Sequence, residues 1–259
     1  MSTARTAEGV GARLREWRQR RRLSQLDLAL DAQVSTRHLS FVETGRAAPS
    51  REMVLRLTER LEVPLRDRNA LLLAAGFAPV FPERDFTDPG LSDLRRTVQA
   101  VLDAHMPHPA LAIDRGWTLL AANAGVAPLL AGAAAHLLEG EVNVLRLSLH
   151  PEGLAPRIAN LAEWRGHVLS RLRRQVADSG DAGLSELIQE LAAYPGGERH
   201  ARAEDGLIAP LLRLRTDGGW LSFLSATMTF GSPLDVLVSE LAIEVFLPAD
   251  AATAKVLAG

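Results

Sequence analysis

Apolar residues recur at helical spacing through the first third of the chain, in five segments separated by polar boundaries. The second and third segments are short, and each follows a serine, Ser24 or Ser35, whose hydroxyl can accept a hydrogen bond from the first helical turn. We expect Leu26, Ala29 and Leu30 to form the apolar face of the second helix, because they are spaced i, i+3 and i+4. The pattern therefore predicts five helices, of which the second and third are joined by a tight turn.

The other three helices of this region have similar signals. Val10, Leu14 and Trp17 mark the first helix, Ser50 precedes the fourth, and residues 65–75 form the fifth. A glycine follows that last helix and is suited to end it. Together the five helices are sufficient to close a small all-helical core.

Three prolines between residues 79 and 90 interrupt the helical pattern, since each removes an amide donor and disfavours helix in the residue before it. The chain has 259 residues, of which 47% are hydrophobic, so it can bury more than one core. We therefore predict a helical domain over residues 1–78, a linker over 79–90 and a second domain over 91–259.

The second domain begins with one helical stripe over residues 91–105 and then changes to strand-like spacing. Asn123 is placed to cap a short helix, and residues 142–193 are mostly helical. A turn at 217–219 joins two of the later strands. The predicted strands are 110–114, 117–122, 210–216, 220–230 and 234–246. This order predicts an α+β domain with a five-stranded antiparallel sheet.

The outer face of the third helix carries side chains that suit DNA. With Leu39 toward the core, Arg37 and Phe41 lie on the opposite side among hydroxyl residues, and no acid lies there. In the major groove arginine reads guanine, hydroxyls read several base edges, and apolar groups contact the thymine methyl. An ordinary solvated helix is the alternative, but it leaves an exposed Phe41 unexplained.

The charge distribution supports a nucleic-acid partner for the first domain only. Residues 1–80 carry a formal charge of +5, whereas residues 81–259 carry −7. A basic domain is the electrostatic footprint expected for binding a phosphate backbone. Seven arginines flank the second and third helices, and each either contacts a DNA phosphate or is simply solvated at the end of a helix. They are Arg13, Arg15, Arg20, Arg21, Arg22, Arg46 and Arg51.

Several residues at fixed offsets resemble the lambda-repressor-like (Cro/XRE) helix-turn-helix family, over about residues 9–76. They are Leu23-Ser24-Gln25, Leu28-Ala29, Val34-Ser35, Leu39-Ser40, Val42-Glu43 and Gly45. The resemblance implies that Gln25 bonds a DNA phosphate, and that Arg18 and Glu43 form an internal salt bridge. The predicted DNA-binding residues are Gln25, Ser35, Thr36, Arg37, Ser40, Phe41, Thr44 and Arg46.

The second domain has a resemblance of its own. Its order of two strands, helices and three strands resembles a PAS-like sensor domain. The strings at 143–153 and 229–250 are similar to the MmyB-like ligand-binding domain that follows an XRE helix-turn-helix in many actinobacterial regulators. The resemblance implies a regulator that binds operator DNA and a small-molecule effector, either apolar or like a fatty acid.

Candidate effector-binding residues each have a structural alternative. Arg157 can pair with an effector carboxylate or form a surface ion pair. Asn143 and His150 can orient a polar group or cap a helix or turn. Trp164 and Phe223 suit an apolar cavity and equally an ordinary core.

Several function classes lack their sequence signals. Cysteine is absent, which excludes disulfides and thiolate metal sites. The seven histidines have no metal-ligand spacing, and no nucleophile elbow or phosphate-binding glycine loop is present. No apolar run is long enough to cross a membrane, and the N-terminus lacks a signal-peptide core. We expect a cytoplasmic protein without cofactor, metal or catalytic residues.

The sequence thus predicts a homodimeric transcriptional regulator, a repressor or a ligand-switched protein, on an inverted-repeat operator in double-stranded DNA. Two alternatives remain at this point. An enzyme with an appended helix-turn-helix module is one. A protein-interaction adaptor is the other, and it would present an acidic or apolar groove in place of the Arg37 face.

Overall fold

The computed structural model describes residues 2–199, 210–216 and 219–258. These residues form two compact units. The first unit contains Met1–Arg84 with the short segments Ala177–Ser179 and Ser232–Ser239, and the second contains Asp85–Val176, Gly180–Gly231 and Glu240–Gly259. The predicted fold class is confirmed, because helices alone build the N-terminal region and an antiparallel sheet with helices builds the C-terminal one.

Five helices lie in the N-terminal region: α1 (Ser2–Arg20), α2 (Gln25–Asp31), α3 (Thr36–Glu43), α4 (Arg51–Arg60) and α5 (Leu65–Ala74). The predicted caps are confirmed, since Ser24, Ser35 and Ser50 each accept a hydrogen bond from an amide in the turn that follows. At α2 the carboxylate of Asp27 also accepts from the Ser24 amide, which completes a capping box.

The buried face of α2 differs from the predicted one. Leu28, Ala29 and Ala32 are buried, whereas Leu26 is 56% and Leu30 68% exposed. At about 100° per residue, the stripe through the three buried positions places both exposed leucines on the far side of the helix. The expected apolar face was therefore wrong for Leu26 and Leu30, because a helix of seven residues is too short for spacing alone to fix its orientation.

A buried ion pair joins three of these helices. The guanidinium of Arg18 donates to both carboxylate oxygens of Glu43, at 2.7 and 2.8 Å, and also to the carbonyl of Leu23 at 2.8 Å. Gln25 donates to the same carboxylate at 2.8 Å. Burial alone would raise the pKa of Glu43, but the hydrogen bonds from Arg18 and Gln25 outweigh it, and the pKa is lowered. The pair expected from the family resemblance is thus present.

The second unit is built on a five-stranded antiparallel sheet in the order β2-β1-β5-β4-β3. Its strands are β1 (Ala110–Ile113), β2 (Leu119–Ala122), β3 (Leu211–Thr216), β4 (Gly219–Thr229) and β5 (Ala242–Pro248). The remaining α-helices of the described chain are α6 (Ser92–Asp103), α7 (Val144–Leu149), α8 (Leu161–Ser179), α9 (Ala182–Ala193), α10 (Val236–Glu240) and α11 (Ala251–Leu257). The last three residues of α8, and all of α10 except its last residue, belong to the first unit. The last strand, β5, pairs with both β1 and β4 and so joins the two hairpins into one sheet.

Three details of this domain differ from the predictions or lie beyond them. The predicted strand over 234–246 is wrong in its first half, where α10 forms and Asp235 accepts from the Leu237 amide. The helix α11 was not predicted, although Asp250 caps it by accepting from the Thr253 amide. Of the predicted turn at 217–219, the first two residues lie outside the described residues.

Asn123 does not cap a helix with its side chain. Its oxygen accepts from the Ala110 amide, and its nitrogen donates to the carbonyls of Leu102 and His108. The side chain is buried, so these three bonds satisfy a carboxamide that would otherwise be costly to bury. Asn123 therefore ties the end of α6 to the start of β1.

Replacing Glu43 by glutamine tests the buried pair. We expect the variant to lose about 3–5 kcal/mol of stability in α1–α3, because it leaves the Arg18 charge buried without its partner. In the parent protein the lowered pKa makes this stabilisation complete above about pH 4.3, and it is lost as the pH falls through the folded value. Hydrogen exchange of the α1–α3 amides in the full chain measures both effects.

The exposed Glu59, which lies on α4, supplies the control. Glu59→Gln should change the same opening free energies by less than about 0.5 kcal/mol. If the α1–α3 amides exchange at the same rates in Glu43→Gln and in the parent, the ion pair does not stabilise these helices.

Candidate DNA-binding face and effector cavity

The outer face of α3 is the candidate DNA-binding surface. Leu39 and Val42 are fully buried, so the helix has one fixed inner side. The opposite side presents exposed Arg37 and Thr44, together with half-buried Thr36, Ser40 and Phe41. The acid of α3 is Glu43, which is buried in the pair with Arg18 and does not face solvent. The exposed side of α3 therefore combines a cation, hydroxyls and an aromatic ring.

Contacts within α3 order two of these side chains. The guanidinium carbon of Arg37 lies 5.5 Å from the centre of the Phe41 ring. A guanidinium that contacts a ring through its face keeps its in-plane N–H groups available for an acceptor. The hydroxyl of Thr44 donates to the Ser40 carbonyl at 2.7 Å. The contact with Phe41 thus leaves the N–H groups of the exposed Arg37 available to an acceptor outside the protein.

The predicted residues at the ends of α3 are also on or near the surface. Ser35 is exposed, and its oxygen accepts from the His38 amide at 3.1 Å while its own hydrogen remains a donor. Arg46 is exposed just after Gly45, which adopts the left-handed conformation. Gln25 is half-buried because it bonds Glu43, which fixes the orientation of its carboxamide. These positions stay predicted DNA contacts.

An apolar cavity of about 90 Å³ lies in the second unit, lined by residues of all five strands, α7 and α8. By the same measure one water molecule needs about 10–15 Å³, whereas drug-sized ligands occupy pockets of about 300–1,000 Å³. Its wall includes Leu111, Trp117, Leu145, Trp164, Val168 and Phe246. As it stands, the cavity accommodates a small apolar group, and a longer molecule requires it to widen.

An ion pair between a half-buried arginine and a buried glutamate interrupts the apolar wall. Glu244 on β5 is only 4% exposed and accepts from Arg171 on α8 and, at 2.9 Å, from the Thr227 hydroxyl. Arg171 also donates to the Thr227 hydroxyl at 2.8 Å, and its guanidinium lies 4.5 Å from the Trp117 ring centre. Arg171 and Glu244 place two opposite charges at one end of the cavity, and these charges cancel.

His167 and Ser148 add neutral polar groups to the same wall. Burial lowers the pKa of His167, and the guanidinium groups of Arg171 and Arg174 lower it further, so the ring is neutral at pH 7. Ser148 accepts a hydrogen bond from the indole nitrogen of Trp164 at 2.9 Å. The serine hydroxyl hydrogen and the neutral imidazole are therefore suited to orient a polar group of a bound molecule.

Of the five predicted effector residues, the structure places Trp164 in the cavity wall. Asn143 instead caps α7, accepting from the Leu145 and Arg146 amides, and His150 follows the same helix at its other end. Arg157 donates to the carbonyls of Leu129, Ala131 and Arg215. Phe223 is fully buried against Phe246, with ring centres 6.2 Å apart. For Asn143, His150 and Phe223 the structural alternatives describe the observed contacts. For Arg157 the expected surface ion pair was wrong, because its guanidinium bonds main-chain carbonyls.

Four cavity residues that were not predicted, His167, Val168, Arg171 and Glu244, nevertheless have a recognisable sequence pattern. Trp164, His167, Val168 and Arg171 are spaced i, i+3, i+4 and i+7, so they share one face of α8. Glu244 is a charged residue among the apolar residues of β5, with Ile243 and Val245 buried on either side. A charge within a buried strand and an arginine on an apolar helical stripe together indicate a buried pair.

The comparisons with known proteins agree with this architecture. Residues 94–258 match the family described as MmyB-like transcription regulator ligand binding domain, and residues 10–71 match a helix-turn-helix domain. The first match covers more than half of the chain. The two domains define a DNA-binding transcription regulator with a ligand-binding domain. The chain belongs to the MmyB-like transcription regulator family.

A solved structure is also similar to part of the chain. It is the clp gene regulator ClgR from Corynebacterium glutamicum, at 24% identity and a TM-score of 0.25, covering 39% of this chain and 95% of that one. That likeness is too low to carry a structural argument. No curated protein is significantly similar to this chain. Among the described residues, no helix combines the length and apolar composition that crossing a bilayer requires.

A double-mutant cycle tests the ion pair at the cavity. Glu244→Met and Arg171→Met should each lower the free energy of unfolding by about 1–3 kcal/mol, because each leaves the other member of the pair without a charged partner. The double variant Arg171→Met with Glu244→Met should recover most of that loss, since apolar replacement of a buried pair is often nearly neutral. Denaturant unfolding followed by tryptophan fluorescence suits this test, because Trp117, Trp164 and Trp220 lie in the second unit.

Glu186→Gln, at an exposed position of α9, is the control and should change stability by less than about 0.5 kcal/mol. Additive effects of the two cavity substitutions would mean that Arg171 and Glu244 do not interact energetically.

Proposed function

We propose that this regulator binds an inverted-repeat operator as a cytoplasmic homodimer, and that a small effector in the cavity sets its operator affinity. The observation that carries the proposal is the α3 face, on which Arg37 lies against Phe41 while the helix's acid is buried. The predicted DNA contacts at Gln25, Ser35, Thr36, Ser40, Thr44 and Arg46 belong to the same proposal.

The chemistry of α3 favours DNA over a protein partner. An adaptor would need an acidic or apolar groove at this position, whereas the exposed face carries a cation and hydroxyls. A helix with this composition fits the major groove, where arginine bonds the acceptors of guanine and an aromatic edge contacts the thymine methyl. A two-fold dimer would place two such helices about one or more helical turns apart on an inverted repeat.

The cavity favours an apolar effector with one polar end. Most of its wall is aliphatic or aromatic, and the polar groups Ser148, His167 and Arg171 are the positions at which a head group can bond. A fatty acid or another linear amphiphile has this division of character. Its chain would require the cavity to widen, as an apolar core can do by repacking its side chains.

The regulator domains favour a protein that binds its effector without transforming it. We therefore propose no catalytic residues and no cofactor. An effector changes operator affinity only as far as it binds one of two conformations more tightly than the other. A tenfold change in operator affinity requires a differential effector affinity worth about 1.4 kcal/mol.

Substitution of Arg37 tests the DNA-binding face. Arg37→Ala should cost about 1–3 kcal/mol of operator affinity and relax specificity at one base position, whereas Arg46→Ala should weaken all sequences alike and lower the salt slope by about one. The measurement is fluorescence anisotropy with an operator found by in vitro selection, together with every single-base variant of it.

Arg96→Ala, at an exposed position of α6, is the matched control and should leave affinity and specificity unchanged. A uniform loss of affinity with both Arg37→Ala and Arg46→Ala would contradict the placement of α3 as the reading helix.

Filling the cavity tests the effector proposal. Native mass spectrometry of the purified protein should show a bound small molecule, or uptake of an added saturated fatty acid. Val168→Phe should abolish either, because Val168 is buried and lines the cavity. Val256→Phe adds the same ring at a position that is 52% exposed and should retain binding.

Comparing the fatty acid with the corresponding fatty alcohol tests the apolar cavity and the polar end separately, because the alcohol keeps the chain and lacks the carboxylate. Tighter binding of the acid supports a role for Arg171 at the polar end. An empty parent protein that takes up neither molecule would make the cavity an imperfection of core packing.

A further inference from the structure

Two imidazoles and a carboxylate converge on the surface of the second unit. His136 and Glu152 are exposed, His150 is half-buried, and their nearest ligand atoms all lie within 4.8 Å of one another. The two imidazole centroids are 5.7 Å apart with their planes nearly perpendicular. None of the three residues lines the cavity or belongs to the α3 face. The sequence spacing gave no indication of this cluster, because its members come from two separate turns.

Main-chain contacts hold the two turns together. The Ala134 amide donates to the Glu152 carbonyl at 2.9 Å, which joins the turn that carries His136 to the turn that follows α7. The Gly153 amide donates to the His150 carbonyl at 2.9 Å. A Cβ at Gly153 would lie 2.2 Å from the Leu147 carbonyl oxygen, so only glycine permits this close return of the chain. These backbone contacts therefore bring the three side chains together.

We propose that His136, His150 and Glu152 bind a divalent transition-metal cation with the ligand preferences of Zn²⁺. Two imidazoles and one carboxylate are a common donor set for such ions, and water or another ligand completes the coordination. Bonds of about 2.0–2.2 Å in tetrahedral geometry bring ligand atoms to about 3.3 Å from one another. Rotation of the exposed His136 and Glu152 side chains closes the difference.

The ring of His150 is already restrained. It lies against Tyr194, with centroids 5.2 Å apart, and its Nδ1 accepts from the Glu152 amide at 3.1 Å. The neutral ring therefore carries its proton on Nε2. A metal bound at either ring nitrogen breaks the hydrogen bond from the Glu152 amide, because Nδ1 is then either bound to the metal or protonated. The amide of the exposed Glu152 then donates to water instead. The side chain of Glu152 is free to turn toward the ion, because its contact with His150 uses only its main chain.

The position of the site connects it to the cavity wall. His150 follows α7 directly, and Leu145, Leu147 and Ser148 of α7 line the cavity. A cation bound by His136 and His150 would therefore fasten the end of this short helix to a second turn. The cation site shares no residue with the cavity, so each of the two proposals can fail without the other.

The test uses the full chain without a polyhistidine tag. Titration calorimetry with Zn²⁺ should give saturable binding of one ion per chain, and Co²⁺ should give the visible absorbance of a site with nitrogen and oxygen ligands. His136→Gln, His150→Gln and Glu152→Gln should each weaken Zn²⁺ binding by more than about tenfold, since loss of an outer-shell partner alone costs about 10–100-fold. Hydrogen exchange at residues 144–154 should slow when Zn²⁺ is added.

His108→Gln and Glu139→Gln are the matched controls, because both residues lie in the second unit outside the cluster, and both should bind Zn²⁺ as the parent does. His136 is exposed, so His136→Gln remains informative even if His150→Gln disturbs the end of α7. The proposal is overturned if Zn²⁺ binding is not saturable at one ion per chain, or if His136→Gln binds Zn²⁺ as tightly as the parent.

Discussion

The buried ion pair between Arg18 and Glu43 sets the position of α3, the helix that we propose reads DNA. Glu43 is the last residue of α3, and Arg18 on α1 and Gln25 on α2 satisfy its carboxylate. A charge taken out of water is tolerated only where its partners have good geometry, so other placements of α3 on α1 are strongly disfavoured. The pair also removes the one acid of α3 from the proposed DNA-binding surface.

The second unit also contains an ion pair with a buried carboxylate, but in a different setting. Glu244 is buried on β5, and its partners are Arg171 on α8 and Thr227 on β4. Here the pair lies at the edge of an apolar cavity, and the arginine is covered on one side by the Trp117 ring. Because Arg171 and Glu244 are strongly polar although their charges cancel, one end of the cavity is polar and the rest is mostly apolar. A molecule with one polar end can therefore bind in only one orientation without leaving a polar group unsatisfied.

The sequence predicted best what local interactions decide. The caps at Ser24, Ser35 and Ser50 and the helices that follow them depend on residues within one turn of each other. The family resemblance, and not the spacing of residues, supplied the Arg18–Glu43 pair. The cavity was not predictable residue by residue, because its wall combines five strands and two helices that meet only in the folded chain. Arg157 shows why, since it bonds three main-chain carbonyls that the sequence gives no means of bringing together.

The short helix α7 is the element through which both proposed ligands of the second unit would act. It has six residues, fewer than an isolated helix needs to be stable, so it depends on the Asn143 cap and on packing of Leu145, Leu147 and Leu149. Part of that packing surface is the cavity wall. A molecule that fills the cavity therefore stabilises α7 from its inner side. A cation at His150 would stabilise the same helix from its end. When one ligand has already ordered α7, the second ligand loses less conformational entropy on binding. Their binding is then positively coupled even if neither ligand moves the backbone.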